Sequence, residues 1–127
     1  MFDYGCGHGE DIRLLREIGM DVSGFDPVHA PGRKRRADVV NLGYVVNVIE
    51  DPVERAEVLR DAWRLARRFL IVSVLQSPRH ARPKISSTGT YQWFPSDVAV
   101  LSLIRRCTRG AIQRIGPGVW AVAGGAR

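Results

Sequence analysis

An α/β fold built on a wound, mostly parallel sheet is what this sequence predicts, and three observations predict it. The stretch Phe2-Asp3-Tyr4 leads into Gly5, Gly7 and Gly9 at alternating positions, followed by an acidic helix start at Glu10-Asp11. A second apolar run, Met20 to Phe25, ends in Asp26-Pro27. Later, Phe69 to Leu75 is a continuous apolar run, as in strands buried on both faces of a parallel sheet. Strand, glycine turn, helix and strand in that order describe a Rossmann-like unit, in which ligands sit at the carboxyl ends of the strands where the winding reverses.

The glycine loop discriminates between ligands. A dinucleotide fingerprint, G-x-G-x-x-G, rests a pyrophosphate on the helix N-terminus. Here the third glycine comes one residue early, and Glu10 stands where the last fingerprint glycine belongs. Glu10 and Asp11 suit the positive end of the helix dipole and repel a pyrophosphate. A cofactor with a cationic end and no phosphate fits better, and S-adenosylmethionine is such a molecule. Asp-x-Gly-x-Gly-x-Gly resembles motif I of class I methyltransferases. The predicted cofactor contacts are Asp3, Gly5, Cys6, Gly7 and Gly9 from the loop, and Asp26 and Pro27 from the end of the second strand. Asn41, Leu42 and Gly43 complete the set at the end of the next strand. Asp26 is placed to accept from both ribose hydroxyls; its alternative role is a turn-forming Asp before Pro.

Helix A is expected over Glu10 to Ile18, with Ile12, Leu15 and Ile18 as its apolar stripe and Gly19 at its C-terminus. Val28 to Ala37 reads as a loop carrying the basic run Arg33-Lys34-Arg35-Arg36, a solvated surface or a phosphate contact. The usual third strand and helix B are therefore missing. Val39 to Leu42 is the next strand, and Asn41, Tyr44 and Asn47 after it are weak catalytic candidates. Asp51-Pro52-Val53-Glu54 starts a helix reaching Arg68, with an Asp N-cap and Pro at the first helical position. It is expected to bury Ala56, Leu59, Trp63 and Ala66 and to expose Arg55, Arg60, Arg64 and Arg67. After the strand Phe69 to Leu75, a polar loop from Gln76 to Gly89 with Arg79, His80, Arg82 and Lys84 is a candidate lid. Tyr91, Trp93 and Phe94 either stack on bases or dock the loop. Ser96 caps a short helix to about Arg106. Ala111 to Ile115 and Val119 to Ala123 close the chain as an antiparallel hairpin around Gly116-Pro117-Gly118, a pairing that separates methyltransferase sheets from dehydrogenase sheets.

The 127 residues suit one domain, and 45% apolar content suffices for a core. A net charge of +6 is compatible with DNA or another anionic partner, reached through basic loops, and also with an ordinary arginine-rich surface. Cys6 and Cys107 form no metal pattern and no disulfide framework, so no metal is expected and the thiols are read as reduced in the cytoplasm. The acidic, glycine-rich start is unlike a secretory leader, and no apolar run is long enough to span a bilayer, so no membrane association is expected.

The phrases FDYGCGHGEDIRLLREIG, GFDPVHAP and ADVVNLGYVVNVIEDPVERAEVLRDAW, with TGTYQWFPSDVAVLSLI and GPGVWAVA, resemble the DNA phosphorothioation-associated methyltransferase family. The similarity covers nearly the whole chain. It implies a class I methyltransferase sheet lacking the third strand, S-adenosylmethionine as cofactor, and a connection to DNA. It also implies a region before the first strand that this chain lacks, so a protein partner supplying the N-terminal part is expected.

Two functions follow. One is methyl transfer to DNA or a DNA-linked substrate. Amino-directed DNA methyltransferases place Asn/Asp-Pro-Pro-aromatic where this chain has Asn41-Leu42-Gly43-Tyr44, which keeps the Asn and the aromatic. The other is a non-catalytic cofactor-binding module in a DNA-modification or defence assembly, favoured by Val48 where many small-molecule methyltransferases carry a His. A nicotinamide-binding domain is weaker, because the loop spacing is wrong for it.

Overall fold

The computed structural model describes residues 1–76, 83–85, 89 and 91–124. Its elements are β1 (Phe2–Tyr4), α1 (Glu10–Glu17), β2 (Ser23–Phe25), β3 (Ala37–Gly43), α2 (Pro52–Leu65), β4 (Ala66–Ser73), β5 (Lys84–Ile85), β6 (Tyr91–Gln92), α3 (Asp97–Cys107), β7 (Ile112–Gly116) and β8 (Val119–Ala123). Six strands form one sheet in the order β2-β1-β3-β4-β8-β7. The first four are parallel, β8 runs antiparallel to β4, and β7, antiparallel to β8, points the same way as the first four. The winding reverses between β1 and β3, so their carboxyl ends form the expected crevice. The reduced sheet and the closing hairpin are as the sequence indicates.

Alternation along the strands sorts the two faces. Phe2, Tyr4, Val40, Leu42, Leu70, Val72, Trp120 and Val122 point to one face and are buried. There they meet Leu59 and Ala62 of α2 and Val100, Leu103 and Ile104 of α3. The opposite face carries α1, whose Ile12 fits against Gly24 so closely that a Cβ at Gly24 would collide with it. Farther along that face Phe69 stays 43% exposed.

Element ends depart from the sequence reading for definable reasons. α1 stops at Glu17 because Gly19 takes φ +90. Its N–H donates to Arg16 O at 3.0 Å and the Met20 N–H to Leu15 O at 3.1 Å, a left-handed cap of the Schellman type. Ile18 therefore leaves the helical face and is 73% exposed, not part of a buried stripe. The second strand begins at Ser23, three residues later than expected, because the cap occupies the intervening chain.

α2 starts as expected: Asp51 Oδ1 accepts from the Val53 amide at 3.0 Å, and Pro52 opens the helix. It ends at Leu65, before Arg68, because Ala66 already pairs with Ala37 in the sheet. Pairing with a strand outweighs the helix propensity of the Arg-rich run. Arg55, expected in water, is only 7% exposed. It stands one and two turns before Leu59 and Ala62 on the buried face.

Candidate cofactor-binding site

The loop between β1 and α1 is held to the end of β2. The Gly5 and Cys6 amides both donate to Phe25 O, at 2.7 and 2.9 Å. The Gly9 amide closes the turn on Cys6 O at 3.0 Å. Gly5, Gly7 and Gly9 have φ of +83, +58 and +83. A side chain at Gly5 would also collide with Val45, whereas among the described residues a Cβ at Gly7 or Gly9 would meet no atom within 4 Å beyond its chain neighbours. Gly5 thus locks the loop to the segment after β3, and Gly7 and Gly9 leave its outer edge bare for close approach.

Asp26, at the end of β2, reaches this loop. Its Oδ2 accepts from the Gly7 amide at 3.0 Å. Its Oδ1 accepts from the Val28 and His29 amides at 2.9 and 3.0 Å. Asp26 and Ala30 exchange both backbone bonds, closing a tight turn that includes Pro27. The His29 amide does most to hold the Asp26 carboxyl below its usual range; burial opposes it, and the Val28 and Gly7 amides add to the lowering. The residue is therefore both turn former and loop neighbour. Oδ1 spends both lone pairs on the Val28 and His29 amides, whereas Oδ2 keeps one with which it can accept from a sugar hydroxyl.

Asp3 and Asn41 are register partners on β1 and β3, and Asn41 Nδ2 donates to Asp3 Oδ1 at 3.2 Å. Burial pushes the Asp3 carboxyl above its usual range, the Asn41 amide opposes this, and Asp11 adds to it. Met1, Asp3, Asp11, Leu14, Leu15 and Asn41 line a cavity of about 350 Å³ between α1 and the sheet. On the other side of the loop, Cys6, His8, Gly9, Ile12, Gly24 and Ala30 border one of about 590 Å³. Burial, then the Asp3 and Asp26 charges, push the Cys6 thiol up, which keeps it protonated at neutral pH. Asp3, Glu10, Asp11 and Asp26 make the loop's surroundings acidic, which fits a cationic ligand such as S-adenosylmethionine and opposes a pyrophosphate.

The remaining residues divide. The Leu42 side chain is fully buried in the core, so only its backbone borders the crevice. Gly43 ends β3 there. Tyr44 follows with φ +59, the one described non-glycine residue in the left-handed region, and its side chain is 59% exposed. Its amide donates to Ser73 O at 2.8 Å, which holds the turn. Asn47 is 1% exposed, and its side chain is an internal clamp. Nδ2 donates to Leu75 O and Trp93 O at 2.8 and 2.6 Å, while Oδ1 accepts from the Leu75 amide at 2.8 Å. With both ends of the amide engaged, Asn47 supports the crevice from behind and offers nothing to a substrate.

Sequence reasoning missed two features. The His8 and His29 rings lie 3.8 Å apart, joining the glycine loop to the Asp26 turn, and nothing in their spacing announces it. Arg55 packs its guanidinium 3.8 Å from the Trp93 ring centroid and donates to Ile49 O at 2.6 Å and Tyr91 Oη at 3.2 Å. Its helical spacing from Leu59 and Ala62 was the available signal. Tyr91 and Trp93 thereby dock the chain onto α2. Arg79, His80 and Arg82, and most of the candidate lid, lie outside the described residues.

No family model matches the sequence, and the comparison with curated proteins finds no match. Solved structures do match. A Burkholderia thailandensis 1,6-didemethyltoxoflavin-N1-methyltransferase, solved with 1,6-didemethyltoxoflavin and S-adenosylhomocysteine, is 15% identical with a TM-score of 0.72, over 98% of this chain and 70% of that one. The sugar N-methyltransferase KedS8 from a Streptoalloteichus species is 14% identical at 0.72, over 98% and 79%. CalS10, an amino pentose methyltransferase from Micromonospora echinaspora solved with S-adenosylmethionine, is 11% identical at 0.67, over 97% and 82%. The chain therefore has the class I methyltransferase fold, in a reduced form.

Proposed function

We propose that this chain is an S-adenosylmethionine-dependent methyltransferase whose acceptor is DNA or a DNA-linked group. One observation carries the cofactor reading. Asp26 stands against the Gly7 amide at 3.0 Å, beside a glycine edge that no described residue fills. A bare backbone turn with a carboxylate one strand away is what a ribose-bearing, cationic cofactor requires, and the acidic surroundings select against phosphates. When bound, the cofactor supplies an electrophilic methyl group, which passes to an acceptor lone pair as the carbon–sulfur bonding pair returns to sulfur. Asp26 would hold a ribose hydroxyl and the Asp3–Asn41 pair the cationic end. The Gly43–Tyr44 edge would orient the acceptor, so that positioning does most of the catalysis. DNA as acceptor is supported by the family resemblance and by the +6 net charge.

The test is calorimetric titration with S-adenosylmethionine and NAD, then transfer of labelled methyl to DNA. Binding of the first and not the second, with label in DNA, is expected. A cofactor-saturated protein that labels no DNA would favour the second reading, a non-catalytic cofactor-binding module. That reading has one observation in its favour: with Asn47 engaged and Val48 following it, no described side chain at the β3 edge is placed as a general base.

A further inference from the structure

The basic run after β2 divides in two. Lys34 belongs to the fold: its Nζ donates to Asp61 Oδ2 on α2 at 2.7 Å, lying 5.2 and 5.0 Å from the Tyr4 and Phe25 ring centroids. Arg35 and Arg36 are exposed and make no hydrogen bond or ion pair among the described residues. Both line a cleft of about 740 Å³ together with Arg16 of α1 and Arg67 of β4. Arg16 is anchored by its Nε on Val22 O at 2.8 Å, and Arg67 meets Asp38 only at 3.8 Å. Four arginines from three separate segments thus face two aspartates, Asp21 and Asp38, in one cleft.

The cleft lies at the wrong end of the sheet for the cofactor. Met1, Ser23 and Ala37, which also line it, stand at the amino ends of β1, β2 and β3. The glycine loop, Asp26 and Gly43 are at the carboxyl ends. Along β3 the separation is about 20 Å at roughly 3.3 Å per residue.

We propose that this cleft is a docking site for the phosphodiester backbone of a nucleic acid, separate from the crevice where chemistry occurs. The site rests on the DNA reading above for its biological purpose, though not for its chemistry. Arginine forks match phosphate oxygens in pairs. Spread over three walls, they suit successive phosphates better than one small anion. A strand leaving the cleft needs roughly six phosphates, at about 3.4 Å each, to reach the cofactor edge. Docking here would raise the local concentration of acceptor without touching the reacting atoms.

The experiment measures binding of a fluorescent single-stranded oligonucleotide over a salt series, for the full chain and for Arg35→Ala/Arg36→Ala. The expected double variant binds roughly tenfold more weakly at low salt. Its log–log salt slope should be shallower by about 1.4, at roughly 0.7 per lost phosphate contact on a single strand. Its S-adenosylmethionine affinity and thermal midpoint stay unchanged. Arg67→Ala, on another wall, should lower the slope as well, which covers the case in which the loop variant fails to fold. Unchanged slopes in both would overturn the proposal, as would full competition by inorganic phosphate or by a glutamate polymer at matched ionic strength. A steep slope that the variants flatten, with no methyl reaching DNA, would sink the catalytic reading and leave this site standing.

Discussion

Asn41 Nδ2 and Asp3 Oδ1 meet at 3.2 Å across the β1–β3 pair, so a buried acid is held by one neutral donor at the point where the sheet's winding reverses. Burial raises the Asp3 pKa and the Asn41 bond lowers it. A cation beside Asp3 needs the ionised form. S-adenosylmethionine affinity should therefore fall as pH drops through the raised value. Asn41→Ala should move that fall to higher pH and weaken binding roughly tenfold near neutrality, and Asp3→Asn should abolish the pH dependence. Titration calorimetry between acid and neutral pH reads this out. Stability of the free protein should run the same way in reverse. Between the ordinary Asp value and the raised one the folded state holds more protons than the unfolded state. Stability thus declines as pH rises through that window, and Asp3→Asn should flatten the curve.

The glycines should separate by function. Gly5→Ala meets both a positive φ and the Val45 side chain, so it should cost about 2–4 kcal/mol of folding stability. Gly7→Ala meets only the backbone term, about 1–2 kcal/mol, and its larger effect should be on S-adenosylmethionine binding. Denaturant melts and calorimetry on both variants separate the two. Equal effects on stability and on binding in each variant would contradict the division.

Asp26→Ala removes the acceptor of three backbone amides at once, so its cofactor phenotype would be mixed with loss of the turn. Asp26→Asn is the cleaner probe, since its carbonyl oxygen still accepts from Val28 and His29 and only the Gly7 bond at the Oδ2 position is lost. It should leave the melting midpoint within a few degrees while weakening S-adenosylmethionine by about 1–2 kcal/mol, the cost of an acceptor lost at the ribose. Because the folded Asp26 pKa is depressed, the wild-type turn contributes full stability above the unfolded value and loses it as pH falls through the depressed one. An acid melt of Asp26→Asn should lack that loss.

Asn47 and Arg55 are both stability elements; the sequence left Asn47 open between a weak catalytic role and a structural one, and placed Arg55 in solvent. Asn47→Ala would leave the Leu75 amide and two carbonyls without partners and should cost about 2–3 kcal/mol. Arg55→Met keeps the stem packed on Trp93 and loses the bonds to Ile49 and Tyr91, so a cost of about 1–2 kcal/mol is expected. Methyl transfer per folded molecule should survive both. A specific collapse of turnover in folded Asn47→Ala would return that residue to the reaction.

The sequence by itself determined the parts of this protein governed by short-range rules. Alternating glycines, the Asp51-Pro52 helix start, continuous apolar strands and the Gly116-Pro117-Gly118 hairpin each carry their conformation in a few neighbouring residues, and the strand order follows from how such units connect. Asp26 also lies beside the glycine loop as its spacing from Gly7 implied. Only tertiary structure decided which polar groups are available. Whether Asn47 faces a ligand or three backbone groups, and whether Lys34 is free or fixed on Asp61, depends on atoms 27 or more positions away along the chain. Where α2 gives way to β4 depends on Ala37 across the sheet. Polar side chains and element ends are settled by whichever partner the fold brings to them, and that partner is written nowhere near them in the chain.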